Sequence, residues 1–300
     1  MSYIQNLANK LKAAQPDIAH ATTKQKNDLL LAMAQEILEG KEEIIKANAK
    51  DLLNASCNGV RSTMIDRLRL NEERIDGIVN AIKKIVALPD PVGVIVFGKT
   101  LPNGLKIKKQ RIPIGVIGII YESRPNVTVD AASLCIKSSN AVMLRGGKEA
   151  IETNIALINL LQSAIIKCGM NPDIITLVED TSRETSLEMM KLNGYLDVLI
   201  PRGGAGLIKA VVEDSTIPVI VTGVGNCHIF VDESADLEMA AEIVFNAKTS
   251  RPSVCNSCES LLVHESVAPE FLTIVKNKLD TKAVIMLGCE KTKAILGKSV

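Results

Sequence analysis

Cys255 and Cys258 stand three residues apart in the stretch NAKTSRPSVCNSCES. A pair at this spacing suits three kinds of chemistry. Half of a tetrahedral metal site would need two further ligands at defined spacing, yet there is no second such pair, and His20, His228 and His264 are dispersed. No metal is expected. A thiol–disulfide couple of the CxxC kind opens a helix after an early strand, usually around an aromatic or Gly-Pro interior, and Asn256-Ser257 does not exclude it. A single nucleophile needs a positive or dipolar neighbourhood to ionise at neutral pH, and Lys248 and Arg251 lie near Cys255 in sequence. With no histidine close by, such a thiol would work without a Cys–His proton relay. On these residues alone the last two roles both stay open.

Three loops are the other candidates. YESRPN, 121–126, places Arg124 to hold an anion and Asn126 to offer a side-chain N–H, although a turn or capping role suits either residue. LRGGKEA, 144–150, has two glycines that admit a ligand to the backbone, with Arg145 and Lys148 beside them. Bases at the end of a second strand, where an acidic residue would hold a ribose hydroxyl, favour a 2′-phosphate and hence NADP. PRGGAG, 201–206, repeats the order strand, glycine turn, helix, which cradles phosphates on backbone N–H groups. The spacing is not GxGxxG, and each glycine loop alone reads equally as a tightly packed helix start.

These loops need elements to place them. The first ninety residues read as helices: Thr22 and Gln25 form a capping box before Leu30, Met33, Ile37 and Leu38, and Ile75, Ile78, Val79, Ile82 and Val86 mark a second apolar stripe. Residues 92–112 read as two strands turning at Pro102-Asn103-Gly104, an excursion with a charged face. From Ile114 onward, apolar strands alternate with amphipathic helices: IGVIGIIY, AVMLRG, DIITLVE, LDVLIPRG, IPVIVTG, HIFVDES and ESLLVHES are the expected strands. That rhythm means a parallel sheet covered on both faces, with ligands beyond the carboxyl ends of its strands.

Composition narrows the partners. The 300 residues are 47% hydrophobic, enough for a sizeable core, and 35 basic residues nearly cancel 34 acidic ones. No nucleic-acid or membrane-surface footprint results, so a small-molecule partner is expected. The first residues lack the apolar core of a signal peptide, no apolar run reaches a membrane span, and the seven cysteines are odd in number and scattered. A reducing, cytoplasmic setting follows, with Cys57, Cys135, Cys168, Cys227 and Cys289 expected as packed thiols.

Taken together, these stretches resemble the gamma-glutamyl phosphate reductase family of the aldehyde dehydrogenase superfamily. The resemblance runs from ANAKDL (47–52) through RIPIGVIGIIYESRPNVTVDAASLCIKSSNAVMLRGGKEA, LIPRGGAGL, STIPVIVTGVGNCHIFVDE and NAKTSRPSVCNSCESLLV. It implies an α/β fold of aldehyde dehydrogenase type: N-terminal helices and a parallel-sheet NADP-binding domain over 1–230, with the strand excursion near 92–112, and an α/β catalytic domain over 231–300. Cys255 would be the nucleophile, and Asn126 would join the nucleophile's backbone N–H in an oxyanion hole. Arg145 and Lys148 would meet the adenosine ribose, and Gly203, Gly204 and Gly206 the pyrophosphate. Cys258 matches no functional position. Arg124 and Arg251 are candidates for the amino-acid end of the substrate on charge alone.

The implied reaction is NADPH-dependent reduction of L-glutamyl 5-phosphate to L-glutamate 5-semialdehyde and phosphate, in proline biosynthesis. The thiolate would displace phosphate to give a thioester, which hydride from NADPH then reduces. Hydrolytic relatives use a glutamate to activate water against that thioester. The matching stretch IPVIVTGVGNC has no acidic residue, which suits a thioester kept for hydride or phosphate. The family's chains run on past CEKTKAILGKSV, so a catalytic domain incomplete on its C-terminal side is implied, as is a homo-oligomer bridged by the hairpin. The alternative is a fragment that binds NADP or a partner subunit without turnover.

Overall fold

The computed structural model describes residues 2–221, 223, 225–252, 254–297 and 300. The chain divides into two compact units, Met1–Thr222 and Gly223–Val300.

The first unit opens with α1 (Tyr3–Ala19), α2 (Thr23–Glu39), α3 (Lys41–Cys57), α4 (Ser62–Leu68) and α5 (Glu72–Ala87). Reciprocal capping boxes, Ser2 with Gln5 and Thr22 with Gln25, satisfy the first N–H groups of α1 and α2. Of the expected stripes, Leu30, Met33 and Ile37 on α2 and Ile75, Ile78, Val79 and Ile82 on α5 are buried, while Leu38 and Val86 are half-buried. Lys26 is buried with them because its ammonium reaches Asp90 at 2.7 Å and Ser139 Oγ at 2.8 Å. Asp51, buried on α3, accepts from the backbone N–H and hydroxyl of Thr153 at 2.8 and 2.6 Å, which ties the helical layer to the sheet layer.

β1 (Ile95–Thr100) and β2 (Lys106–Gln110) form the antiparallel excursion, exposed at every position. Gly104 turns it with φ of +84°, a conformation that favours glycine. Then come β3 (Val116–Tyr121), α6 (Pro125–Lys137), β4 (Ala141–Arg145), a short 3-10 turn at Lys148–Ala150, α7 (Ile151–Lys167), β5 (Ile175–Leu177), α8 (Arg183–Met189), β6 (Val198–Arg202) and α9 (Ala205–Asp214). The four strands are parallel in the order β5-β4-β3-β6, and their near-continuous burial is that of a sheet covered on both faces. The expected strand IPVIVTG is reduced among its described residues to one bridge, Leu199 to Val219. The Pro218 carbonyl accepts from the Leu199 N–H and the Ile220 N–H donates to the Leu199 carbonyl, both at 2.9 Å; Thr222 lies outside the described residues.

The second unit contains β7 (Cys227–Val231), α10 (Leu237–Thr249), β8 (Cys258–Val263), α11 (Ala268–Asp280) and α12 (Glu290–Leu296). β7 and β8 pair in parallel, and Val231, Ala241, Val244, Phe271, Val275 and Leu279 form the core beneath them. Two of the thiols expected to be packed are exposed: Cys57 at the last position of α3 and Cys289 at the N-cap of α12, a helix with no buried residue. Cys135 is buried, and burial pushes its thiol up to about 12. Among the described residues no helix is long and apolar enough to cross a membrane.

Candidate active site

The loops after β3, β4 and β6 leave adjacent strands of one sheet at the same edge, since Tyr121 lies opposite Arg202 and Ile120 opposite Arg145. After β3 the chain turns sharply, with the N–H of Arg124 donating to the Glu122 carbonyl at 2.6 Å. Pro125 then opens α6 at a position where its missing N–H loses nothing. Asn126, half-buried in the first turn of α6, donates from Nδ2 to Asp130 Oδ2 at 2.9 Å. Burial raises the Asp130 carboxyl above its usual range, opposed by that hydrogen bond and by the charge of Arg202. Arg124 is half-buried at the N-cap.

After β4, Arg145 is half-buried and donates from one terminal nitrogen to the carbonyls of Thr181 at 2.6 Å and Ser182 at 3.3 Å. Burial lowers its pKa, opposed chiefly by the charge of Glu149. Its Nε is buried without a hydrogen-bond partner among the described residues. The next two positions must be small: a Cβ on Gly146 would lie 3.1 Å from the Tyr121 ring, and one on Gly147 3.1 Å from the backbone N of Ser123. Lys148 follows, exposed on the 3-10 turn.

After β6, Gly203, Gly204 and Gly206 are exposed, and Gly204 caps α9. The Gly204 N–H donates to Glu122 Oε1 at 2.8 Å, so an anion already lies on this helix start. A Cβ on Gly203 would come within 2.6 Å of the Glu122 carboxyl carbon.

In the second unit, Cys255 is exposed on the turn between α10 and β8. Its carbonyl accepts from Cys227 Sγ at 3.4 Å, and a Cβ on Gly225 would be 3.1 Å from the same oxygen. Cys258 differs: it is buried at the start of β8 opposite Cys227. Burial raises its thiol's pKa, partly opposed by the charge of Lys248. Lys248 donates to the carbonyl of Cys258 at 2.9 Å rather than standing free beside Cys255. Arg251 is exposed, and Ser253, within the RPSVCN stretch, lies outside the described residues. Asn126 and Cys255 belong to different units.

A model of the aldehyde dehydrogenase family matches residues 2–291. The chain belongs to the aldehyde dehydrogenase family. Among aldehyde dehydrogenase relatives, the gamma-glutamyl phosphate reductase of Caldicellulosiruptor saccharolyticus is 52% identical over 295 residues, 98% of this chain and 70% of that protein. The crystal structure of gamma-glutamyl phosphate reductase from Thermotoga maritima superimposes with a TM-score of 0.90 at 43% identity, covering 99% of this chain and 72% of that one. The Saccharomyces cerevisiae enzyme of the same name gives 0.69 at 27% identity, covering 98% and 73%. The chain therefore spans about 70% of the length of the curated relatives it matches.

The aldehyde dehydrogenase fold takes a nicotinamide cofactor, and this sheet edge fits one. The Gly204 N–H donates to an anionic oxygen, Gly206 has no atom within 4 Å of where a side chain would start, and the buried Arg145 Nε–H is a donor to spare. Sequence reasoning passed over two residues here. Asp130 was within reach of it, being four residues after Asn126 on a helix. Glu122 was not, because its contact with Gly204 depends on β3 lying beside β6.

Proposed function

We propose that this chain carries out NADPH-dependent reduction of L-glutamyl 5-phosphate to L-glutamate 5-semialdehyde and phosphate, as a cytoplasmic step of proline biosynthesis. The observation that carries the reading is the 52% identity, over 98% of the chain, to a relative of that name.

In this reading the second unit supplies the nucleophile. The Cys255 thiolate attacks the acyl carbon, a C–S bond forms, and phosphate leaves with the electron pair of the broken C–O bond. The Asn126 side-chain N–H and the Cys255 backbone N–H hold the developing oxyanion. An exposed thiol suits this role and a buried one with a raised pKa does not, which separates Cys255 from Cys258. The cofactor, when bound, supplies the hydride that reduces the thioester.

The first unit supplies the cofactor's binding groups. Arg145 and Lys148 meet the 2′-phosphorylated ribose, and Gly203, Gly204 and Gly206 present backbone N–H groups to the pyrophosphate. This choice of bases favours NADP over NAD. Arg124 and Arg251 are the cations assigned to the substrate's charged ends. The fully exposed hairpin of β1 and β2, with Phe97 54% and Ile107 43% exposed, supports pairing between subunits of a homo-oligomer.

The test is the reverse reaction, with NADPH absorbance followed after mixing glutamate 5-semialdehyde, phosphate and NADP+. The wild type should produce NADPH. Cys255→Ser should lower the rate at least about a thousandfold, while Cys258→Ser should stay within about twofold. Retained turnover in Cys255→Ser would overturn the assignment, and equal loss in both variants would restore the redox pair.

A further inference from the structure

Asn126 has a planar amide with two N–H donors on one side and an acceptor oxygen on the other, and a half-turn about its last bond exchanges them. An oxyanion site needs a donor facing out every time. A carboxylate accepts and never donates when ionised, so a carboxylate beside the amide draws the NH2 group and repels the oxygen. Asp130 stands there, with Oδ2 at 2.9 Å from Asn126 Nδ2.

That carboxylate is half-buried, yet it forms no ion pair within 4.0 Å among the described residues. Among the described residues its side-chain hydrogen bond is the one from Asn126, and the charge of Arg202 acts on it without forming an ion pair. A half-buried carboxylate held by one bond is an uneconomical way to stabilise a helix, where an exposed i, i+4 pair would contribute as much. From one turn further along α6, Asp130 engages one Nδ2 hydrogen of Asn126 and leaves the other for a ligand.

We infer that Asp130 is a positioning residue, which fixes the amide of Asn126 so that its second N–H, and not its oxygen, faces the reacting carbonyl. The inference rests on the proposed role of Asn126 in holding the oxyanion. Asp130 itself touches neither substrate nor cofactor.

The experiment uses the whole protein in the reverse reaction with glutamate 5-semialdehyde, phosphate and NADP+, alongside direct NADP+ titration by fluorescence. N126A should lower kcat by about a hundredfold, the usual loss for one oxyanion donor. D130A should lower kcat by about tenfold, with NADP+ affinity and the KM for phosphate within about twofold of wild type. D130N, whose amide can accept from Asn126 but can also donate to its oxygen, should recover only part of the loss. The N126A/D130A double variant should be no slower than N126A, since Asp130 acts through that amide.

Wild-type kcat in D130A alongside a slow N126A would overturn the inference and leave the role of Asn126 standing. Losses that multiply in the double variant would overturn it equally, because Asp130 would then act elsewhere. Wild-type kcat in N126A would remove Asn126 from the oxyanion site and this inference with it. If D130A fails to fold, D130S, too short to reach the amide, takes its place with the same expected values.

Discussion

The two units are built from the same strand–helix grammar at different scales. In the first, four parallel strands lie between helical layers, and the polar groups at their ends are held by named partners: Asn126 by Asp130, Gly204 by Glu122, Arg145 by the carbonyls after β5. In the second, among the described residues, two strands share a core cluster of six buried apolar residues, and Cys255 stands on an exposed turn whose carbonyl receives a sulfur hydrogen bond. Leu287 and Ile285 in that unit are 95% and 85% exposed, and Phe230 on β7 is 60% exposed. The groups assigned to binding are thus held by a deep core and the group assigned to chemistry by a shallow one. Changes to packing should therefore be felt at the thiol before they are felt at the glycine loops.

The largest test of that contrast is Phe271→Ala. Phe271 is fully buried at the centre of the small cluster, and truncating a buried phenylalanine costs about 3–5 kcal/mol. Backbone amides of β7 and β8 should lose hydrogen-exchange protection while those of β3 and β4 keep theirs. NADP+ binding should survive as turnover disappears. Equal loss of protection in both units would mean that they open together and would remove the contrast.

A smaller effect separates the ion pairs of the two units. Asp90 bonds the buried ammonium of Lys26, and its side chain is only 13% exposed. Burial raises the Asp90 carboxyl, but the bonds from Lys26, Thr23 and the Val92 N–H outweigh it and hold the pKa below the usual value. A carboxyl held low in the folded state stabilises at neutral pH, and the contribution is lost as pH falls below about 4 and through the lowered pKa. Asp90→Ala strands a buried charge and should destabilise by about 3 kcal/mol at pH 7 in urea unfolding, less as the pH approaches the carboxylate range. Glu242→Ala removes one of the exposed partners of Lys278, at 65% exposure, with Glu238 left beside it, and should change stability by less than about 1 kcal/mol. Comparable losses in the two variants would show that burial does not set the worth of these pairs.

Much of this architecture could be read from residue order. The capping box at Thr22, the stripe from Ile75 to Ile82 and the apolar runs that became β3 and β4 depend on local periodicity, and each element formed where the pattern placed it. At IPVIVTG the described residues show one bridge, Val219 to Leu199, with the Pro218 carbonyl accepting from Leu199 and the Ile220 N–H donating back to it. At the candidate site, the loops YESRPN, LRGGKEA and PRGGAG could be singled out because glycine and proline announce turns at strand ends. What each side chain touches could not. Lys248 is three residues from Arg251 and seven from Cys255, yet it reaches the Cys258 carbonyl, because α10 carries it back alongside β8. Cys57 and Cys289 looked like packed thiols by residue type, but both lie at helix ends beyond any apolar stripe.

The finest test lies within the first unit, at Glu122. Its carboxylate holds the Gly204 N–H at 2.8 Å, where the proposed function seats the cofactor's pyrophosphate. A negative charge at the start of α9 stabilises the free protein, and the same charge repels a phosphate brought to the same amides. Glu122→Gln keeps an oxygen that can accept from Gly204 and removes only the charge. A charge at a helix start is worth about 0.3–1 kcal/mol, so the variant should unfold slightly more easily while binding NADP+ about two- to fivefold more tightly. Added salt should shrink the difference, since screening weakens interactions between exposed charges. The probe 2′-AMP, which lacks the pyrophosphate, should bind wild type and variant alike. If instead Glu122→Gln binds NADP+ more weakly with 2′-AMP unaffected, the carboxylate is a ligand of the cofactor and not its rival, and the well-held edge of the sheet is held in its working state before any ligand arrives.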